Sequence, residues 1–176
     1  GLKLFVDGAR LAYSLASPAN DVSLADVARL SDVFYIGGTK CGTLFGEAVV
    51  IPDGGSIRQF VTQMKQHGAL LAKGRLLGVQ FEALFEDGLY STIGQPGVES
   101  TRRIREALIR AGYVVTMDSP TNLTFVALDQ AGHERLSRKV RYGIWETLPD
   151  GRLLARFCTS WGTPEEDVKA FEEALA

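Results

Sequence analysis

The chain has 176 residues and a mass of 19.1 kDa, room for one ordinary domain or two small ones at roughly 100–200 residues per domain. With 45% hydrophobic and 23% charged residues it reads as globular, which excludes a disordered or fibrous chain, and Asp, Arg or Gly interrupts every apolar run before the ~18 residues a membrane helix needs. Nineteen Lys and Arg against 21 Asp and Glu give a net charge of −2, so no broad electrostatic basis exists for binding nucleic acid or an anionic membrane.

Residues 2–6 form an apolar strand that stops at Asp7-Gly8, with no Met or targeting segment before it. A buried strand needs neighbours on both edges. Few strands follow in the first half, and the expectation is a fragment of a longer fold. Short helices are predicted over 9–16 and 24–30, the second opened by Ser23 with Asp26 three residues on. Residues 32–36 form a β-branched and aromatic strand ended by Gly37-Gly38, and 47–51 form another ended by Pro52-Asp53-Gly54-Gly55.

From Ser56 the period becomes helical, with Ile57, Phe60, Val61 and Met64 and then Leu71, Leu77, Phe81, Leu84 and Phe85, so 56–87 is one long or broken helix pair. The turn-rich segment of Asp87-Gly88 and then Gly94-Gln95-Pro96-Gly97 marks a domain boundary, giving 1–87 and 88–176. Residues 98–111 make an amphipathic helix with Ile104, Leu108 and Ala111 on one face. Arg102, Arg103 and Arg105 are read as its solvated side, interleaved with Glu99 and Glu106. Beyond it come a strand at 123–128, a helix at 133–140, and strands at 142–148 and 152–158 around the turn Asp150-Gly151. A helix at 164–175, with Thr163 as its N-cap, closes the chain. The fold class is α/β, followed by a smaller α+β domain.

Asp7 and Lys40 each follow a strand, and in a parallel sheet both fall at the carboxyl edge, where open α/β sheets gather ligands. The lysine lies in Gly37-Gly38-Thr39-Lys40-Cys41-Gly42, which leaves backbone room for a close ligand. This loop lacks the spacing of a Walker phosphate loop. Such an amine can condense with an aldehyde, and a nearby acid can hold the protonated ring nitrogen of a pyridoxal cofactor, keeping that ring an electron sink. Taken singly, Asp7 is a turn former and Lys40 a solvated charge; their combination carries the chemical reading.

Phe5-Val6-Asp7-Gly8-Ala9-Arg10 followed by Tyr35-Ile36-Gly37-Gly38-Thr39-Lys40-Cys41-Gly42 resembles the low-specificity L-threonine aldolases of the β-eliminating lyase family. The likeness continues through 73–81 and 156–161 and covers the family's second half. It implies the C-terminal part of a pyridoxal-phosphate fold type I large domain followed by a small α+β domain. By that resemblance Lys40 is the catalytic amine, Asp7 pairs with the pyridinium nitrogen, and Arg10 lies near the cofactor and the substrate carboxylate. Arg156 grips the substrate's α-carboxylate, and its forked guanidinium suits that group. Thr39 and Lys65 are weaker carry-overs toward the cofactor phosphate. Lys65, in Met64-Lys65-Gln66, stands where the family often has an arginine contacting the phosphate across a dimer interface.

The implied reaction is aldol cleavage of a threonine-like β-hydroxy-α-amino acid to glycine and an aldehyde, by a homodimer or tetramer in the cytoplasm. The family's glycine-rich phosphate cup and ring-stacking residue lie in its first half, so this piece alone is expected to be inactive. Another pyridoxal-dependent elimination or amino-group transfer, or a non-catalytic binding module, are the alternatives. No metal is expected, because His67 and His133 lack Cys or carboxylates at ligand spacing. Cys41 reads as a small buried loop residue, and two cysteines are too few for a disulfide scaffold.

Overall fold

The computed structural model describes all residues from Gly1 to Ala176, which divide into two compact units. The first comprises Gly1–Leu15 and Asn20–Ile93, the second Ala16–Ala19 and Gly94–Ala176. The division falls six residues beyond the expected boundary, because a short helix after Gly88 belongs to the first unit.

In the first unit a three-stranded sheet has the order β1 (Phe5–Val6), β2 (Val33–Gly37), β3 (Glu47–Val50). Strand β1 runs parallel to β2, with Val6 beside Phe34, and β3 returns antiparallel with Ala48 beside Ile36. Alternation along β2 buries Phe34 and Ile36 and leaves Tyr35 half-exposed on the other face. Helices α1 (Leu11–Leu15) and α2 (Leu24–Leu30) fill the connection. Helix α2 has the expected capping box: the Ser23 hydroxyl accepts from the Asp26 N–H while the Asp26 carboxylate accepts from the Ser23 N–H at 2.9 Å.

The helical stretch after Ser56 is broken into α3 (Phe60–Gln66) and α4 (Arg75–Phe85). The break has a local cause. Gly68, at φ +67°, donates to the Lys65 carbonyl while Ala69 donates to that of Met64, the paired bonds of a Schellman termination. A 3-10 turn at Glu86–Gly88 leads into α5 (Leu89–Thr92), where buried Tyr90 donates its hydroxyl to the Gly37 carbonyl at 3.1 Å.

The second unit is a four-stranded antiparallel sheet of order β4 (Val114–Val115), β5 (Leu123–Leu128), β7 (Leu153–Cys158), β6 (Gly143–Thr147). Helices α6 (Gln95–Arg110), α7 (Gln130–Ser137) and α8 (Glu165–Leu175) complete it. Its core joins Ile104 and Leu108 of α6 to Val126, Leu128, Ala155 and Val168. Ala111, expected on the buried face of α6, is its exposed C-cap. Pro164 caps α8 instead of Thr163, whose hydroxyl accepts from the Ser160 N–H at 2.8 Å.

The expected solvated face of α6 does not hold at two residues, Arg103 and Arg105, each only 22% exposed. Arg103 reaches two carboxylates of α8, Glu165 at 2.8 Å and Glu172, with Nε at 3.0 Å from the latter, and Arg105 pairs with Asp118 at 2.8 Å. Arg102 pairs locally with Glu99 at 2.6 Å and Glu106 at 2.5 Å, as expected. No helix is long and apolar enough to cross a membrane.

Candidate active site

The site is built where β1 and β2 end side by side. Their parallel register, Phe5 with Val33 and Val6 with Phe34, carries Asp7 one step past β1 on the face that Tyr35 shares. The two backbones meet closely there. A Cβ on Gly8 would stand 1.7 Å from the Tyr35 carbonyl oxygen, so only glycine allows this approach. The Gly8 carbonyl then accepts from the Gly37 N–H at 2.9 Å and from the Leu11 N–H at 3.0 Å, fastening the turn after β1 to both β2 and α1.

Asp7 is exposed, and its carboxylate is held by its neighbours. The Tyr35 hydroxyl donates to Oδ1, and the Ala9 N–H donates to the same oxygen at 3.0 Å. These donors hold the Asp7 carboxyl below its usual range, Tyr35 first and Ala9 second, with a smaller contribution from the Lys40 ammonium. The same bond, with partial burial, pushes the Tyr35 phenol up to about 12, so it stays a donor throughout the neutral range. Asp7 is therefore an anion at neutral pH, and Lys40 is close enough to favour that anion.

Lys40 projects from an exposed position in a turn with a rigid base. The Cys41 and Thr43 N–H groups both donate to the Gly38 carbonyl, at 2.8 and 3.1 Å, and the Gly38 N–H donates to the Glu47 carboxylate at 2.6 Å. The Tyr13 hydroxyl of α1 donates to the Lys40 carbonyl at 2.6 Å. The Lys40 backbone is thereby tied to α1 while the residue stays exposed. Cys41 is fully buried, and burial pushes its thiol up, so it supplies no nucleophile here.

Four of the six anticipated residues, Asp7, Arg10, Thr39 and Lys40, belong to the β1–β2 turns. Arg10 is half-buried at the entry to α1. The Thr39 hydroxyl donates to the Gly46 carbonyl at 3.4 Å, the local bond expected of a turn residue. Lys65 stands exposed on α3, with no hydrogen bond or ion pair to the others. Arg156 lies in β7 of the second unit, where it stacks 4.6 Å over the Trp145 ring and takes part in no ion pair of the chain.

Tyr35 and Glu47 are the residues that sequence reasoning passed over. Tyr35 enters the sequence pattern as a strand residue and as part of the lysine motif, and the structure adds that it shares a face with Asp7. No group of His, Cys, Asp and Glu is arranged to hold a metal ion. A concavity of about 370 Å³ in the second unit is lined by Ala16, Pro18, Val98, Thr101, Arg105 and Pro120 among others, and by none of the anticipated residues.

No family model matches the chain. It is 29% identical to a low specificity L-threonine aldolase of Pseudomonas aeruginosa over 174 residues, 96% of this chain and 48% of that protein. A second Pseudomonas aldolase of the same description is 28% identical with the same coverage. The chain thus spans about half the length of the curated relatives it matches. The solved structure of Leishmania major threonine aldolase superposes with a TM-score of 0.91 at 42% identity, over 99% of this chain and 51% of that one. Sphingomonas wittichii serine palmitoyltransferase follows at 0.65 and 17% identity, over 99% and 47%, a likeness of fold alone. Over nearly all of its residues, then, the chain is similar to the C-terminal part of the threonine aldolases and shares the pyridoxal-phosphate fold type I architecture of that part.

Proposed function

We propose that the chain carries the lysine and carboxylate part of a pyridoxal-phosphate site for aldol cleavage of a β-hydroxy-α-amino acid such as threonine. The observation that carries this reading is the Asp7 carboxylate, kept anionic by two donors on one oxygen and by Lys40, at the carboxyl end of a parallel strand pair. This donor set fits a cationic ring nitrogen on one side and an aldehyde-reactive amine on the other. When bound, pyridoxal phosphate supplies the carbonyl that reacts with an amine and the ring that accepts the electron pair of the breaking Cα–Cβ bond.

In this reading Lys40 is the amine that holds the cofactor and takes up or returns a proton as substrate replaces it. Asp7 keeps the ring nitrogen protonated. Arg10, in the turn after β1, serves the substrate's α-carboxylate, and the forked guanidinium of Arg156, held over Trp145 in the second unit, likewise has the chemistry to bind a carboxylate. Orienting that carboxylate would restrict rotation about the substrate's Cα and so select which of its bonds breaks. Thr39 and Lys65 serve the phosphate, with Lys65 acting across a subunit interface of a homodimer or tetramer. Cys41 and Cys158, both unbridged, suit a reducing cytoplasm.

The test adds pyridoxal phosphate to the chain, reduces with borohydride and maps the label. Lys40 is expected to carry it, and a label spread over surface lysines contradicts the reading. The reaction class is tested with L-threonine in the presence of a polypeptide supplying the first half of an aldolase chain. Glycine and acetaldehyde are expected; pyruvate or keto acids from other amino acids assign elimination or transamination instead.

A further inference from the structure

We propose that Tyr35 is a positioning residue for Asp7: its hydroxyl fixes one carboxylate oxygen so that the other is presented to a cationic ring N–H. The inference rests on the pyridoxal reading and deepens it by naming what holds the carboxylate in place. Both bonds to Asp7, from the Tyr35 hydroxyl and from the Ala9 N–H, end on Oδ1. Oδ2 accepts none from the chain. A carboxylate on a single-bonded stem otherwise rotates in solvent, and two donors converging on one oxygen remove that freedom.

Tyr35 is itself well held. It lies within a strand paired on both sides, with Val49 opposite on β3, and its ring packs against Phe5 with centroids 6.1 Å apart. Its carbonyl lies against Gly8, so the same residue fixes the backbone next to Asp7 as well as the carboxylate. Hydrogen bonds to the charged form favour the anion. Replacing Tyr35 with Phe keeps the ring and removes only the donor. Asp7 then retains the Ala9 N–H alone, turns more freely, and its pKa moves up toward the ordinary value.

The experiment uses Tyr35→Phe, Asp7→Asn and the double variant of the 176-residue chain. The Asp7 carboxyl is followed by carbon NMR against pH without cofactor, and pyridoxal phosphate affinity by the visible absorption of the lysine-bound form. Tyr35→Phe is expected to raise the Asp7 titration midpoint and to weaken cofactor binding about tenfold, as for one lost hydrogen bond to an ion. In the Asp7→Asn background the same change is expected to have no further effect, because Tyr35 acts through Asp7. An unmoved Asp7 titration overturns the proposal. So does an equal loss of affinity in both backgrounds, which marks a packing role. If the unsubstituted chain does not bind the cofactor at Lys40, the pyridoxal reading falls and takes the cofactor side of this inference with it. The titration then still decides whether Tyr35 holds Asp7.

Discussion

The two units bury their apolar residues very differently. In the second, α6, α7 and α8 pack with an antiparallel sheet to enclose Leu108, Val126, Leu128, Leu136 and Ala155, each at most 1% exposed. In the first, Leu2, Leu4 and Phe5 around β1, Leu44 and Phe45 after the Lys40 turn, and Leu71 and Leu76 before and in α4 all stand more than 40% exposed. Burial of apolar surface is the main source of folding stability. The second unit thus has the larger enclosed core, while the first holds Asp7 and Lys40 on short elements tied by individual hydrogen bonds. Backbone exchange should separate them: amides of β5 and β7 are expected to exchange slowly and those of β1 and α3 fast. Equal protection would remove the contrast.

Mutations sharpen it, beginning with the largest expected effect. Leu108→Ala, which opens a cavity in the enclosed core, is expected to cost about 2–5 kcal/mol in denaturant unfolding of the second unit. Gly8→Ala should cost about 1–3 kcal/mol or more, because its Cβ meets the Tyr35 carbonyl at 1.7 Å; the strand pair must shift and Lys40 labelling should fall with it. Ser23→Ala, losing the capping box of α2, should cost roughly 1 kcal/mol, read as a lower melting temperature.

The smallest effect is the Arg103 bridge between α6 and α8, read through pH. Arg103 holds the Glu172 and Glu165 carboxyls below their ordinary 4.5. A carboxyl whose folded pKa is depressed adds stability above its unfolded pKa and loses it as pH falls through the folded one. The bridge should thus contribute at pH 7 and fade below about 4.5, and Arg103→Met should flatten that part of the stability profile. An unchanged acid profile in the variant contradicts the bridge's role.

The particular elements show which parts of the structure were legible in the sequence. Strand β2, the capping box of α2 and the Asp150-Gly151 turn follow from local pattern and appear as expected. Strand β4 did not, since two residues, Val114 and Val115, carry no alternation to read. The Arg103 partners lie 62 and 69 positions downstream, beyond any local rule. At the site, the sequence sets Asp7 and Lys40 each just after a strand, and the structure has both in the turns that follow β1 and β2. The Tyr35 contact was not legible, because it depends on the parallel register of β1 against β2. The stacking of Arg156 over Trp145 was not legible either, because it depends on the neighbouring strand β6.

The most direct measurement is borohydride trapping of pyridoxal phosphate on the unsubstituted chain and on Asp7→Asn, with peptide mapping of the reduced adduct. The account predicts stoichiometric label on Lys40 and a much weaker, more pH-sensitive visible band in the variant. Label on other lysines, or an identical band in the two proteins, would contradict it.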